Sequence, residues 1–191
     1  MSEVCVIGDA GYPAVIEAAR LNAEWAWAAI YRDLSPMVLR YLRAHAAPEP
    51  EDLLGEVFVQ VVRKFTDFTG DGRDFRAWVL TITRNRLIDA WRRNRRNQLE
   101  FAPHWEIAER ASCAGDVEED AMRLLADERV RSIIERLTPD QRDVLFLRIF
   151  GGLTVDEVAV VVGKRPGAVK SLQTRAFTAI RRQISREAVT L

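Results

Sequence analysis

The sequence predicts an all-α protein with two small helical domains, joined by a flexible acidic linker, and a helix-turn-helix in the C-terminal domain. Three observations predict this. Apolar residues recur at helical spacing along most of the chain, without the sustained alternation of a β-strand. Gly and Pro gather at a few sites that would separate helices. Residues 98–120 carry seven acidic residues, one basic residue and no clear period, which is typical of a linker.

The expected domains are residues 1–97 and 120–191, with the linker at 98–119. A chain of 191 residues suits two small domains, and 48% hydrophobic residues is enough to pack a core. The four helices expected before the linker cover residues 13–33, 36 to before Pro48, 51–65 and 74–96, with a loop at 66–73. Ser35 is the predicted N-cap of the second helix, with Pro36 at its first position, and Asp74 the predicted N-cap of the fourth.

After the linker, helical spacing resumes around residues 124–137, and Thr138 and Pro139 begin a further helix that stops at Gly151. Thr154 and Glu157 have the spacing of a capping box, in which each side chain accepts the other residue's amide hydrogen. The short helix that they begin is followed by a turn at residues 163–165 and by a longer helix at 166–182. A short helix, a turn with glycine and a longer helix together predict a helix-turn-helix.

The longer helix separates cleanly into an apolar and a polar side. Its apolar stripe is Val169, Leu172, Ala176 and Ile180. Small and basic residues on the other side suit the major groove, where Lys and Arg bind guanine edges or phosphates and hydroxyls contact bases or backbone. The candidate DNA-binding residues are Arg165, Gly167, Lys170, Ser171, Thr174 and Arg175. A solvated basic face on an ordinary helical hairpin is the alternative.

A second basic segment lies at residues 84–96, within a helix that also carries Trp78 and Trp91. Arg84, Asn85, Asp89 and Arg92 are expected to share roughly one face, and Arg93 extends the positive charge. Polar groups between arginines suit single-stranded bases in a cationic groove, although a solvated helix face has the same pattern.

The chain has 28 basic and 28 acidic residues, so its net charge is zero. The total conceals a basic tail, because residues 161–191 carry seven basic residues and one acidic residue. Charges act within about 8–10 Å at physiological salt, so such a local patch remains able to attract nucleic acid.

The sequence gives no sign of an enzyme, a cofactor or a metal site. It contains neither a Gly-rich phosphate loop nor a nucleophile elbow, and His45 and His104 are isolated. Cys5 and Cys113 lack metal-ligand spacing, and a redox role for them is left open. Neither a signal peptide nor a membrane span is recognised, so we expect a cytoplasmic protein without membrane insertion.

Four blocks in order resemble the extracytoplasmic-function (group IV) sigma factors of RNA polymerase. They are YRD and VLRYL at 31–42, EDL and EVF at 51–58, FRAW and NRLID at 75–89, and LTP to AVKS at 137–171. The resemblance covers nearly all of the chain after residue 13. It differs at Gly55, where the family often has Gln, at Arg165, where Ser or Thr is common, and at Leu172-Gln173.

The resemblance implies a non-enzymatic alternative sigma factor that binds core RNA polymerase and promoter DNA and is held by an anti-sigma factor. The first domain would bind the polymerase clamp through Asp52, Leu53, Glu56 and Gln60. The candidate −10 contacts would be Arg84, Asn85, Asp89, Arg92 and Arg93. The loop at 65–74 would receive a flipped base, the linker would thread through the polymerase, and the helix-turn-helix would bind the −35 element.

A conventional helix-turn-helix repressor or activator is the alternative hypothesis, because residues 153–182 alone also fit such a protein. It assigns no role to the helix at 51–65 or to the basic helix at 76–96. Binding to a duplex operator without polymerase would distinguish the two.

Overall fold

The computed structural model describes residues 11–100 and 132–188, with the side chains of 97–100 and 186–188 excepted. The helices are α1 (Tyr12–Arg20), α2 (Glu24–Ala44), α3 (Pro50–Lys64), α4 (Gly72–Glu100), α5 (Pro139–Ile149), α6 (Val155–Val162) and α7 (Pro166–Ala188). Residues 132–135 are also helical, and a 3-10 turn spans Phe65–Asp67. Every regular element within these two ranges is helical, which confirms the predicted all-α class.

The single helix predicted for residues 13–33 is wrong, because α1 and α2 are separate helices. Asn22 adopts a left-handed backbone with φ of 57°, a conformation that asparagine tolerates better than most residues. The Ala23 amide then donates to the Ala18 carbonyl at 3.0 Å, which closes the turn. The break lets Val15 and Ile16 of α1 pack into the core of the bundle.

The second prediction to fail is the helix start at Ser35 and Pro36, because Pro36 lies inside α2. A proline inside a helix costs about 3 kcal/mol. The buried stripe of α2 continues across it, through Ile30, Leu34 and Val38. Burying each such side chain stabilises by about 1.5–3 kcal/mol, so burial along one continuous helix outweighs the cost of the proline.

Helices α2, α3 and α4 form the body of the N-terminal domain. Buried side chains of α3 are Leu53, Leu54, Val57, Phe58 and Val61. Val62 of the same helix is 51% exposed. At the C-terminal end of α3, the rings of Phe65, Phe68 and Phe75 pack against one another beside Trp78.

Asp71, rather than the predicted Asp74, caps α4. The amides of Arg73 and Asp74 donate to Asp71 Oδ1 at 2.8 and 3.1 Å, and the Asp71 amide donates to Asp74 Oδ2 at 3.1 Å. The two carboxylates therefore satisfy the first turn reciprocally, as in a capping box. The helix continues past the predicted end at Arg96.

The described part of the C-terminal domain consists of α5, α6 and α7, preceded by the helical residues 132–135. The predicted start of α5 is confirmed, since Thr138 and Gln141 form a capping box. Leu137 and Leu145 pack against Ala176 of α7, and Val158 and Val162 of α6 join the main core. Most of the predicted linker, together with Cys5, Cys113, His104 and the segment at 124–131, lies outside the described residues.

Candidate nucleic-acid interface

The helix-turn-helix predicted near the C-terminus is formed by α6 and α7. Thr154 Oγ1 accepts the Glu157 amide hydrogen at 3.2 Å, and Glu157 accepts the Thr154 amide hydrogen in return. Gly163 ends α6 in a left-handed conformation with φ of 66°, which glycine adopts without strain. Lys164 in the turn forms an ion pair with Asp140 of α5 at 2.9 Å, which ties the turn to the rest of the domain.

Five of the six candidate residues of this motif are exposed, and Ser171 is half-buried. The exposed ones are Arg165, Gly167, Lys170, Thr174 and Arg175. Arg175 Nη2 donates to Ser171 Oγ at 3.0 Å, which holds the guanidinium along the helix surface. The opposite side of α7 packs inward through Val169 and Ala176, as the apolar stripe predicts.

On α4, Asn85, Asp89, Arg92 and Arg93 are exposed. Arg92 Nη1 lies 3.9 Å from Asp89 Oδ1, and Arg93 Nη2 lies 3.3 Å from Glu56 Oε2 of α3. Exposed pairs of this kind are weak, so both guanidinium groups remain able to exchange partners with a phosphate.

The expected grouping of Arg84 with these residues is wrong in this arrangement of the chain. Its Nε donates to Asp143 Oδ2 of α5 at 2.9 Å, and the side chain is only 19% exposed. The reason is helical geometry. Successive residues point about 100° apart, so Arg84 faces the C-terminal domain while Asn85 and Asp89 face solvent.

The four candidate polymerase contacts on α3 also differ in their exposure to solvent. Asp52 and Glu56 are exposed and Gln60 is half-buried. The expected surface position of Leu53 is wrong, because this side chain is 3% exposed and packs in the core. Leucine at that position anchors the helix against the core.

Sequence reasoning missed an apolar groove between α2 and α3. Its lining includes Trp27, Tyr31, Gly55, Val59 and Val62. Val59 and Val62 are 48% and 51% exposed. Gly55 adds no side chain to the groove floor, and no atom beyond its chain neighbours and the adjacent helix backbone lies within 4 Å of where its Cβ would stand. The departure from the family's Gln at this position is the sequence signal that marks the groove.

A buried polar cluster between the two domains was also missed. Its members are Tyr41, His45, Arg84 and Asp143, which we call the Asp143 cluster. Tyr41 donates its hydroxyl to Asp143 Oδ1 at 2.6 Å, and His45 Nε2 lies 3.0 Å from the same oxygen. The second contact is short but is not aligned as a hydrogen bond. His45 Nδ1 lies 2.8 Å from the Tyr41 carbonyl oxygen.

The cluster changes the acidity of two of its members. Burial and the adjacent Asp143 carboxylate raise the pKa of Tyr41 well above its ordinary value. Burial alone would raise the pKa of Asp143, but interactions with His45, Tyr41 and Arg84 outweigh it and lower that pKa. The carboxylate is therefore charged at neutral pH and depends on its neighbours for compensation.

Residues 30–97 match the sequence model of Sigma-70 region 2, and residues 127–180 match that of Sigma-70 region 4. The chain is 32% identical to the ECF RNA polymerase sigma factor ShbA of Streptomyces griseus, over 76% of this chain and 81% of the relative. The chain belongs to the extracytoplasmic-function sigma factors. It is an alternative sigma factor that acts in promoter recognition and transcription initiation, and such proteins are DNA-binding regulators rather than enzymes.

A second relative of this sigma factor is the ECF RNA polymerase sigma factor BldN of Streptomyces coelicolor. It is 32% identical over 91% of this chain, which spans 66% of the relative's length. Among solved structures, CnrH in complex with the cytosolic domain of CnrY has a TM-score of 0.66 at 22% identity, covering 91% of this chain and 96% of that chain. That likeness establishes the fold.

Each candidate surface falls within one of the two matched regions of this sigma factor. The region 2 match contains α3 and nearly all of α4, and the region 4 match contains α5, α6 and most of α7. Within the described residues, no helix is long and apolar enough to cross a membrane.

Proposed function

We propose that this sigma factor uses three separate surfaces: α3 for core RNA polymerase, the exposed face of α4 for the −10 element, and α7 for the −35 element. The supporting observation is that two exposed basic faces lie on different domains, whereas α3, which packs against α4, carries exposed carboxylates. The corresponding domain bounds are residues 1–97 and 120–191, with a connector at 98–119.

The polymerase surface consists of Asp52, Glu56 and Gln60. Two carboxylates on one helix face would attract a basic partner and orient it during docking. The neighbouring groove adds exposed apolar area at Val59 and Val62, and a docking site needs an apolar centre within a polar rim.

For the −10 element, the proposed contacts are Asn85, Asp89, Arg92 and Arg93. Arginines bind the phosphates of a separated strand, whereas the amide and carboxylate discriminate base edges. Arg84 joins these contacts only after it leaves Asp143. The loop at 65–74 lies at the start of α4, and we propose that it receives a flipped base.

The loop is anchored at Phe68 through both its backbone and its side chain. Arg20 of α1 donates to the Phe68 carbonyl at 3.0 Å, and the buried Phe68 ring packs against Trp78. Thr66, Asp67 and the residues at 69–71 are exposed. A held backbone with exposed polar side chains suits hydrogen bonds to the edge of a base that has left the stack.

The −35 contacts are proposed to be Arg165, Gly167, Lys170, Ser171, Thr174 and Arg175. The missing side chain at Gly167 lets the first turn of α7 approach a DNA backbone closely. Amides at a helix start also favour a phosphate.

An anti-sigma factor and a cytoplasmic location complete the proposal. A solved structure similar in fold to this chain, at 19% identity and a TM-score of 0.60, is the sigma factor RpoE in complex with the anti-sigma factor NepR from Bartonella quintana. We propose a cytoplasmic location because a sigma factor works with RNA polymerase.

Binding assays distinguish this proposal from a conventional helix-turn-helix regulator. We expect the protein to co-elute with purified core polymerase and to bind promoter duplex tightly only in that complex. Tight, sequence-specific binding to duplex DNA without polymerase, and no co-elution, would overturn it.

A further inference from the structure

Asp143 joins the two domains through buried, charge-compensated contacts. The residue is 7% exposed, yet it belongs to α5 of the C-terminal domain, and its compensating partners all come from the N-terminal domain. Tyr41 and His45 are contributed by α2 and the residue after it, and Arg84 by α4. A buried carboxylate is tolerated only when its charge and hydrogen bonds are satisfied. Within the described residues, that satisfaction depends on the domains staying together.

Aromatic and close-packed contacts beside the cluster orient α5. The Phe146 ring packs edge-on against Tyr41 with centroids 5.2 Å apart, and the Arg40 guanidinium lies 5.5 Å from the centre of the Phe150 ring. A Cβ on Gly151 would come within 3.1 Å of Leu80 on α4, so the end of α5 fits closely against that helix.

We propose that Asp143 latches the C-terminal domain onto the N-terminal domain in the free protein, and that a phosphate of single-stranded promoter DNA competes with Asp143 for Arg84. The competition rests on the proposed function, because it takes Arg84 as a −10 contact. Carboxylate and phosphate both match the planar fork of a guanidinium, so one ligand replaces the other without a change in the chemistry of binding.

Losing Arg84 would leave Asp143 buried without the guanidinium that pairs with its Oδ2. Hydration of the carboxylate would then require α5 to move away from α2 and α4. We call the packing of the C-terminal domain onto the N-terminal domain closure. Closure and binding of DNA at Arg84 therefore oppose each other. The coupling is reciprocal, because closure weakens DNA binding by the same factor by which DNA weakens closure. The exposed contacts at Asn85 and Asp89 are accessible in the closed form, so they are available to the first encounter with DNA.

The first experiment measures closure without DNA, by small-angle X-ray scattering of the full chain. Asp143→Asn keeps the shape of the side chain and removes its charge, and Tyr41→Phe keeps the ring and removes one donor. The matched control is Asp140→Asn, on the same helix but paired with Lys164 in the helix-turn-helix. We expect a larger radius of gyration for the first two variants and no change for the control. Unchanged radii for Asp143→Asn and Tyr41→Phe, with helicity retained, would overturn the latch.

The second experiment titrates a fluorescent 20-nucleotide single strand into the same proteins. We expect Asp143→Asn to bind it at least about 5-fold more tightly than the wild type does, and Arg84→Gln to remove that gain. An opened Asp143→Asn protein that gains no affinity would overturn the competition for Arg84. Failure of the sigma function itself is separate, since it would abolish co-elution with core polymerase and leave the scattering result unchanged.

Discussion

The Arg93 guanidinium of α4 lies 3.3 Å from the Glu56 carboxylate of α3 and connects the proposed DNA-binding surface to the proposed polymerase-binding surface. Both side chains are 47% exposed, so the pair contributes little to stability, about 0–1 kcal/mol. A polymerase group that engages Glu56 would release Arg93 for DNA. Loading onto polymerase would thereby add one cation to the −10 surface.

Glu56→Gln should weaken binding to core polymerase while lowering the free energy of unfolding by less than about 1 kcal/mol. The reason is that the exposed pair is weak in the free protein, whereas docking would use the negative charge. Competition binding with labelled polymerase and urea denaturation measure the two effects.

Glu51→Gln is the matched control, because Glu51 is an exposed carboxylate in the first turn of the same helix and pairs with Arg43 at 2.6 Å. It lies outside the proposed contacts and should leave polymerase affinity unchanged. Equal weakening by the two variants would show that general negative charge, rather than a contact at Glu56, drives docking.

Replacing Asn85 and Asp89 together by Ala should impair opening of promoter DNA and largely spare polymerase binding. Both side chains are exposed on α4, so their loss removes base contacts without disturbing the core. Permanganate footprinting reports opening, and co-elution with polymerase reports binding. Parallel loss of both activities would point to a folding defect or to a wrong assignment of the face.

Arg175→Ala should cost about 1–3 kcal/mol of −35 affinity and relax discrimination at one base position if Arg175 reads a guanine. Fluorescence anisotropy of the protein–polymerase complex with a panel of −35 variants measures this. Arg136→Ala, an exposed arginine of the same domain outside α7, is the control and should have little effect. If Arg175→Ala discriminates among the −35 variants as the wild type does, Arg175 does not read a base and contacts at most a phosphate.

Asp143 should make stability depend on pH below about 4. Burial opposes its ionisation, but His45, Tyr41 and Arg84 prevail and lower its pKa in the folded protein below the ordinary 3.8. A folded-state pKa below the unfolded one stabilises the protein fully above the unfolded value, and this stabilisation is lost as pH falls through the folded value.

Urea denaturation of the wild type and Asp143→Asn between about pH 6 and pH 3 measures that contribution. The difference in free energy of unfolding between them should shrink as the pH falls below about 4. A difference that stays constant over this range would mean that the charge of Asp143 contributes nothing to stability.

Structural features that depend only on residues close together in the sequence could be predicted. The capping box of Thr154 and Glu157 and the apolar stripe of Val169 and Ala176 need only local geometry, and both are confirmed. Pro36 shows the limit of that reasoning. Its local cost argues for a helix end, but burial of Leu34 and Val38 on either side keeps α2 continuous.

The Asp143 cluster was beyond prediction for a different reason. Asp143 lies 102 residues from Tyr41 and 59 from Arg84, and no periodicity records a contact across such separations. The same limit applies to Leu53, because burial of its side chain depends on which side of α3 packs against α2 and α4. The exposed residues of α7 could be predicted, since the apolar stripe fixes the buried side of that helix.

Run-off transcription with purified core polymerase on a genomic promoter library, with and without this protein, tests the central claim most directly. We predict discrete new transcripts whose upstream regions share a −10 and a −35 element at fixed spacing. The absence of new transcripts, together with no co-elution with core polymerase, would contradict a sigma function for this chain.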